Sequence, residues 1–489
     1  MTTNAIPAEI SLGIDVGTQS VRCVATDHTG TILATGSHPL HSHRDGNRHE
    51  QDPHQWWTAL THATRQVTAV LGDQPVLGVA LCATSGTILL TDTTGNPLTP
   101  GLMYDDGRAT AEALRASHAG TSLWDRLGYR PQPSWALPKL LRLLATTRGP
   151  AALAHQADFL TGKLTGTITP ADSSNALKTG YDLDTEQWPH ELLAALDVPP
   201  DTLPTVVRPG TTVGTIPADS PTGIPAGTPV VAGMTDGCAA LVGSGTIDTG
   251  SWNTVLGTTL VVKGVTPQRL HDPLGVVYSH RHPDGLWLPG GASSVGAGAL
   301  TAHFGDHDLT QLDAQAAARP HTTLATYPLV SPGERFPFAA PDAHAITTGR
   351  PRDHLDDYLA ILRGVAFTER LCFDYLDLLG APTHGTLRLT GGATRSRYWN
   401  QLRADTLGRP VHVPHDADPA AGMALLARAN GRPLTDAARH HTHHHDTYLP
   451  NPDHQDVLAQ GYRTLVDALH RHGWLPTELA DHATARSHP

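Results

Sequence analysis

Cysteine is scarce. The four in 489 residues, Cys23, Cys82, Cys238 and Cys372, lie far apart and form no C-x-x-C pair, so they read as buried thiols in a reducing compartment rather than a disulfide framework. Positive charge is also short: 34 Lys and Arg stand against 46 Asp and Glu, for a net charge of −12. That argues against a nucleic-acid-binding or anionic-membrane surface. It leaves phosphate ligands open, because Gly-rich turns bind phosphate through backbone N–H groups without local lysines. No apolar run approaches the ~20 residues of a membrane span. The opening MTTNAIPAEIS has neither a basic nor an apolar region of the kind that directs export, so a cytoplasmic protein is expected. Charged residues make up only 16% of the chain while 39% is hydrophobic, which fits a globular chain rather than a disordered one. Its length exceeds one ordinary core, so two or three domains are expected. No G-x-x-x-x-G-K-[ST] occurs, which excludes a P-loop, and no G-x-G-x-x-G follows a predicted strand.

What is present centres on Val230–Gly245. Val230–Ala232 suits a buried strand, Gly233 and Gly237 give backbone freedom, and a small-residue helix begins with Ala239, Ala240 and Leu241. Asp236 therefore sits where a strand gives way to a helix, the edge at which α/β folds bind ligands. A carboxylate there can accept a proton from a hydroxyl or hold a metal ion. A plain helix N-cap would account for Asp236 equally well if it stood alone. It does not: Asp15-Val16-Gly17-Thr18-Gln19 opens the chain, and Gly257-Thr258-Thr259 and Gly391-Gly392-Ala393 follow.

In chain order, Ser11–Val16, Val21–Thr26 and Thr31–Gly36 read as a three-strand meander. Asp52-Pro53 starts a helix whose inner face carries Trp56, Leu60, Ala63, Val67 and Val70. Val76–Cys82 and Thr87–Asp92 are strands around Ala83-Thr84-Ser85-Gly86. Helical stretches are expected at 110–127 and 137–160, and Asp172–Lys178 reads as a polar loop. The second half repeats the outline. It has strands at Trp252–Leu256 and Leu260–Gly264, a long helix His354–Leu379, a strand at Leu387–Leu389 and a helix through Leu402 to Leu407. Val411–Val413 is a last strand and Pro419–Ala429 a last small-residue helix. Strand–turn–strand plus helices in both halves suggests a duplicated α/β domain with a cleft between the copies.

Phosphoryl transfer needs parts of this kind: N–H groups and hydroxyls to cradle phosphate, a carboxylate to aim the attacking hydroxyl, and a metal to bridge phosphates. Each turn alone is ordinary hairpin chemistry; their order and spacing carry the weight.

From Leu12 to about residue 430 the chain resembles the FGGY carbohydrate kinases of the sugar kinase/Hsp70/actin superfamily. LGIDVGTQSVRCVATD looks like that family's first phosphate hairpin and MTDGCAALVGSG like its catalytic-aspartate segment. VLGTTLVV looks like the hairpin that meets the nucleotide phosphates, and LTGGATRSRYWNQLRADTLGRPV like the signature beside the adenosine. Within the family, Ala83–Thr87, Ser173–Asp182, Gly275–His280, Gly290–Ser294 and Gly333–Phe338 are similar to a D-ribulose kinase subgroup of bacteria and plant plastids. Ala83-Thr84-Ser85-Gly86 stands where xylulokinases usually carry Gln-Met-His-Gly. Tyr104-Asp105-Asp106-Gly107-Arg108 departs toward the Trp-x-Asp-x-Arg of other members.

The resemblance implies an α/β fold of two actin-like (ribonuclease H-like) domains flanking a central cleft. Residues 1–243 would bind sugar and 244–432 nucleotide, with 433–489 a His-rich linker and helical tail. It implies an ATP- and Mg²⁺-dependent kinase of a ketopentose, D-ribulose first and D-xylulose second. No nucleic-acid or membrane partner is implied, and a homodimer is left open. Asp236 would be the general base, and Asp15 would position sugar and Mg²⁺-bound phosphate. Thr18 and Gln19 would contact the transferred group, Ser85 the sugar, and Gly257 and Thr258 the ATP phosphates. Gly391, Gly392, Ser396 and Trp399 would line the adenosine pocket. Ser85 reads equally as a turn hydroxyl bonding its own backbone, and Trp399 as a core aromatic. A catalytically silent sugar or nucleotide sensor is the rival from another class; the presence of Asp236, and of no basic helix-turn-helix ahead of Leu12, favours the kinase. The run His440–His445 invites a metal reading but is expected to be a solvated linker.

Overall fold

The computed structural model describes residues 9–319, 323–441 and 444–487. The chain divides into two compact units, each built from three chain segments. The first comprises residues up to Ile247 with His280–Leu286 and Asp416–His443; the second comprises Asp248–Ser279, Trp287–His415 and the chain from His444 on.

The first unit is built on a six-stranded sheet in the order Thr212–Thr215, Pro229–Thr235, Val76–Ala83, Ile10–Val16, Ser20–Thr26, Ile32–Pro39. The three central strands run parallel, and the meander on one side and Thr212–Thr215 on the other are antiparallel. Ile10, Leu12, Ile14 and Val16 on one face and Ser11 and Gly13 on the other are all buried, as expected of a strand covered on both faces. One cover is the helix Pro53–Leu71, started by the Asp52 carboxylate accepting the His54 N–H and by Pro53 in the first turn. Trp56, Leu60, Ala63 and Val67 face the core, whereas Val70 is 67% exposed. The other cover includes the helix Pro419–Ala429, whose backbone lies so close that a Cβ on Gly13 would stand 1.7 Å from the Ala420 carbonyl oxygen.

The helix Pro419–Ala429, expected in the second domain, therefore belongs to the first unit. Its small residues Ala420 and Gly422 permit that approach to the strand and to Gly243. The expected helix over 137–160 is instead a helix Ala136–Thr146, a strand Ala152–His155 and a helix Gln156–Thr165. Gly149 at φ +85° breaks the run ahead of Pro150, and the strand pairs with Ile88–Thr91 in a second, five-stranded sheet. The stretch 110–127 is two helices meeting at Gly120. Asp172–Lys178 is no loop: Asp172 caps a short buried helix Ser173–Ala176, which runs into a 3₁₀ turn Leu177–Thr179.

Six strands of the second unit's sheet lie in the order Trp287–Ser293, Leu260–Gly264, Trp252–Leu256, Leu387–Thr390, Val411–Pro414, His445–Tyr448. The helix His354–Leu378 is buried on nearly every face, as a helix at the centre of a large core is. Within it Glu369 holds Arg403 by two bonds of 2.6 and 2.8 Å, and Arg403 also donates to the Thr254 hydroxyl. The tail is not a separate region. His445–Tyr448 completes the sheet, and the helix Pro452–Arg471 puts Leu458, Tyr462, Leu465 and Leu469 into the same core. The His-rich run is thus partly strand; Thr442 and His443 within it lie outside the described residues. Among the described residues no helix is long and apolar enough to cross a membrane.

Candidate active site

Three neighbouring parallel strands of the first unit end together, since Val16 and Thr235 both stand opposite Ala83. Asp15 is therefore one residue inside that edge, Asp236 one residue past it, and Ser85 two residues past it. This is the carboxyl edge of a parallel sheet, where α/β proteins take their ligands.

Asp15 is pushed up to about 6. Burial is the largest cause, the carboxylates of Asp236 and Asp418 add to it, and the Cys82 thiol and Arg22 oppose it. Cys82, the register partner of Asp15, donates its S–H to Oδ1 at 3.3 Å. Arg22, the partner on the other side, pairs with Asp418 at 2.7 Å. Asp236 opens the helix Asp236–Gly243, and its Oδ1 accepts the Gly237 N–H at 2.7 Å. The hairpin at Gly17 closes through its N–H to the Ser20 carbonyl, 3.0 Å. The Gln51 amide holds the Thr18 carbonyl at 2.7 Å and the Leu40 N–H holds that of Gln19 at 2.8 Å. The Thr18 side chain is half-buried and that of Gln19 exposed.

The turn after Ala83 splits its two hydroxyls. That of Thr84 bonds Thr87 and Gln156, whereas the buried Ser85 Oγ has no hydrogen-bond partner. The local turn bond weighed for Ser85 is thus not made. The segment Tyr104–Arg108 holds a charge network: Arg108 pairs with Asp106 and Glu50, and Asp105 with His49 and Arg44. Beneath it Lys139 is fully buried and donates to the Met103 carbonyl at 2.7 Å. Burial, with the Lys178 charge adding, pulls the Lys139 amine down to about 7.

In the second unit the hairpin between Trp252–Leu256 and Leu260–Gly264 is clamped by 296–298. Ala297 and Gly298 donate to the carbonyls of Gly257 and Thr258 at 2.8 and 3.1 Å. Gly391, at φ +92°, closes on the same hairpin: a Cβ there would stand 2.6 Å from the Leu256 carbonyl oxygen. Gly257, Thr258, Gly391 and Gly392 are thereby brought together, and beside them opens a pocket of about 780 Å³ lined by Leu300, Asp313, Tyr358, Gly392, Ser396 and Trp399. That volume is in the range of small-molecule sites. Two expected pocket residues are engaged elsewhere. The Ser396 hydroxyl caps the helix Arg397–Leu407 by accepting the Trp399 N–H at 2.9 Å. Trp399 is 2% exposed and donates its indole N–H to the Leu362 carbonyl, so it meets the pocket only as part of its wall.

Sequence reasoning missed Cys82, Arg22, Asp418 and Lys178. Only the strand register signals the first two, and nothing local signals a partner 400 residues away. Among the described residues no three metal-ligating side chains converge into a cage. Asp15, with Asp236 close enough to raise its pKa, still fits Mg²⁺, which binds through one or two carboxylates plus substrate phosphates.

The chain matches the N-terminal domain model of the FGGY family of carbohydrate kinases over residues 10–243 and the C-terminal domain model over 252–430. It is 29% identical to a xylulose kinase of Streptomyces rubiginosus over 442 residues, covering 88% of this chain and 89% of that one. It is 28% identical to an apulose kinase of Pectobacterium atrosepticum over 441 residues, covering 85% and 88%. The crystal structure of a xylulose kinase from Rhodospirillum rubrum superposes with a TM-score of 0.85 at 26% identity, covering 95% of this chain and 99% of that one. With both domain models matched across most of its length, the chain belongs to the FGGY family of carbohydrate kinases and is an ATP-dependent sugar kinase.

Proposed function

We propose that this kinase transfers the γ-phosphate of ATP to the terminal hydroxyl of a ketopentose, D-ribulose before D-xylulose. Asp236 accepts the hydroxyl proton as the oxygen attacks, a role that typically contributes roughly 10²–10⁴-fold. Asp15 would hold Mg²⁺, which when bound neutralises charge on the phosphates. Thr18 and Gln19 contact the transferred group, and Gly257 and Thr258 the phosphates. Gly391, Gly392 and the wall formed by Ser396 and Trp399 receive the nucleoside. Residues up to Asp236 form the sugar-binding part, and the nucleotide residues lie in the second unit.

The observation that carries the choice of sugar is the turn Ala83-Thr84-Ser85-Gly86 with its buried, unpartnered hydroxyl at the edge shared with Asp236. A small donor–acceptor group there, rather than an imidazole, suits the configuration of one ribulose hydroxyl. A site built to bond a hydroxyl rejects analogues that leave its polar groups unpaired. D-xylulose remains the second reading because curated relatives carry that name. ADP release measured over pentuloses, polyols and aldoses tests both. D-ribulose is expected to exceed D-xylulose in kcat/KM by at least about tenfold, or ~1.4 kcal/mol; equal or faster turnover of D-xylulose promotes the second reading.

A further inference from the structure

The turn Ala83–Gly86 receives a second polar group that the roles above leave unassigned. Lys178 approaches from the short 3₁₀ turn Leu177–Thr179 and donates from Nζ to the Ser85 carbonyl at 3.2 Å. Its stem lies across Gly86, where φ is +91° and a Cβ would stand 3.2 Å from the Lys178 Cδ. The helix that delivers Lys178 is fixed to the strand that delivers Asp236: the Ser174 hydroxyl accepts the Thr235 N–H at 2.9 Å. Asp172 in turn holds the Ser174 and Asn175 N–H groups at 2.9 and 3.0 Å. The ammonium, the unpartnered Ser85 Oγ and the Asp236 carboxylate are thus held at one sheet edge by a continuous set of hydrogen bonds.

The chemistry of these groups differs in kind. A carboxylate only accepts hydrogen bonds and an ammonium only donates them. A hydroxyl that must lose its proton belongs at Asp236. An oxygen with lone pairs and no proton belongs where an ammonium and a hydroxyl both donate, and in a ketopentose that oxygen is the C2 carbonyl. The alcohol that replaces it in a pentitol brings a hydrogen to a place already furnished with donors, and a buried donor without an acceptor is costly.

We propose that Lys178 is a specificity-determining residue which, with Ser85, reads the C2 carbonyl and separates ketopentoses from the matching pentitols. The inference rests on the ketopentose reading above and deepens it. The Lys178 ammonium donates to the carbonyl oxygen, Ser85 Oγ donates to its second lone pair while accepting from the neighbouring hydroxyl by which ribulose and xylulose differ, and the terminal hydroxyl is left to Asp236.

The test is steady-state kinetics on D-ribulose, D-xylulose, ribitol and xylitol with the wild type, Lys178→Met, Lys178→Arg and Ser85→Ala, with thermal unfolding as a folding control. The wild type is expected to prefer the ketopentose over its pentitol by about 100-fold or more in kcat/KM. Lys178→Met is expected to lower kcat/KM for the ketopentose at least about 10-fold, mainly through the sugar KM, with a much smaller loss on the pentitol and an unchanged KM for ATP. Lys178→Arg, which keeps a donor-only cation, should recover part of the ratio. If Lys178→Met does not fold, Ser85→Ala must shrink the same ratio by itself. Equal losses on ketopentose and pentitol, or no change in the ratio, overturn the role of Lys178 while leaving the ketopentose reading intact. A wild type that phosphorylates an aldose and neither ketopentose overturns both.

Discussion

Asp236→Asn keeps the shape of the side chain, including its acceptor for the Gly237 N–H, and removes the group that takes the proton. A fall in kcat of about 10²-fold or more is expected, with ATP affinity from equilibrium binding nearly unchanged. Near wild-type kcat on the preferred sugar would contradict the assignment. Asp15 makes a second expectation, because its ionised form is the one that holds a cation. It is raised to about 6, first by burial, so kcat/KM should fall as pH drops through about 6. Higher Mg²⁺ should move that limb to lower pH, since the cation binds only the carboxylate. Cys82→Ala removes the S–H donor that favours the ionised form, so the limb should move to higher pH, as read from the pH profile at fixed Mg²⁺. At this scale the sequence showed the aspartates, because each ends an apolar run and is followed within two residues by a glycine, Gly17 or Gly237. It hid what sets their protonation: Cys82 and Arg22 reach Asp15 through register across two neighbouring strands, and Asp418 comes from the far end of the chain.

Among elements, those with a strong period were legible and those fixed by a cap or a close approach were not. Ile10–Val16 and Trp252–Leu256 lie where apolar runs place them. Helix Ser173–Ala176 has no period to read, because four residues make a single turn. It exists because Asp172 satisfies its first N–H groups and also accepts from the buried side chains of Ser174 and Asn175. The contact of strand Ile10–Val16 with helix Pro419–Ala429 depends equally on an absence, the missing Cβ of Gly13. Gly13→Ala would push a methyl group to 1.7 Å from the Ala420 carbonyl oxygen. Strand and helix must separate, and the cost should reach at least about 3 kcal/mol, the upper end of ordinary overpacking. Urea unfolding measures it. Gly392→Ala is the control, since a Cβ there meets nothing within 4 Å, and its unfolding midpoint should hardly move.

For the molecule as a whole, the sequence suggested a boundary near residue 243 and a second one near 432, because motifs are read in chain order. The compact units do not follow chain order: residues after Asp416 return to the first unit before the chain leaves it again at His444. Topology explains why. Strand Ile10–Val16 lies inside a parallel arrangement that needs a cover on each face, and one of those covers is supplied by Pro419–Ala429. A fragment ending at Ile247 would therefore expose the face around Gly13, Val24, Gly78 and Ala80 together with Ala239 and Gly243. Buried apolar area is worth roughly 25 cal/mol per Å², so losing a whole covering helix removes an amount of the same order as the stability a domain has to spare. The fragment 1–247 should be insoluble or a molten state by near-ultraviolet circular dichroism. The same fragment joined by a flexible linker to residues 416–441 should be soluble, monomeric and cooperatively unfolding. If the shorter fragment folds alone with a sharp thermal transition, the helix Pro419–Ala429 is dispensable to the first unit and the boundary belongs near residue 243 after all.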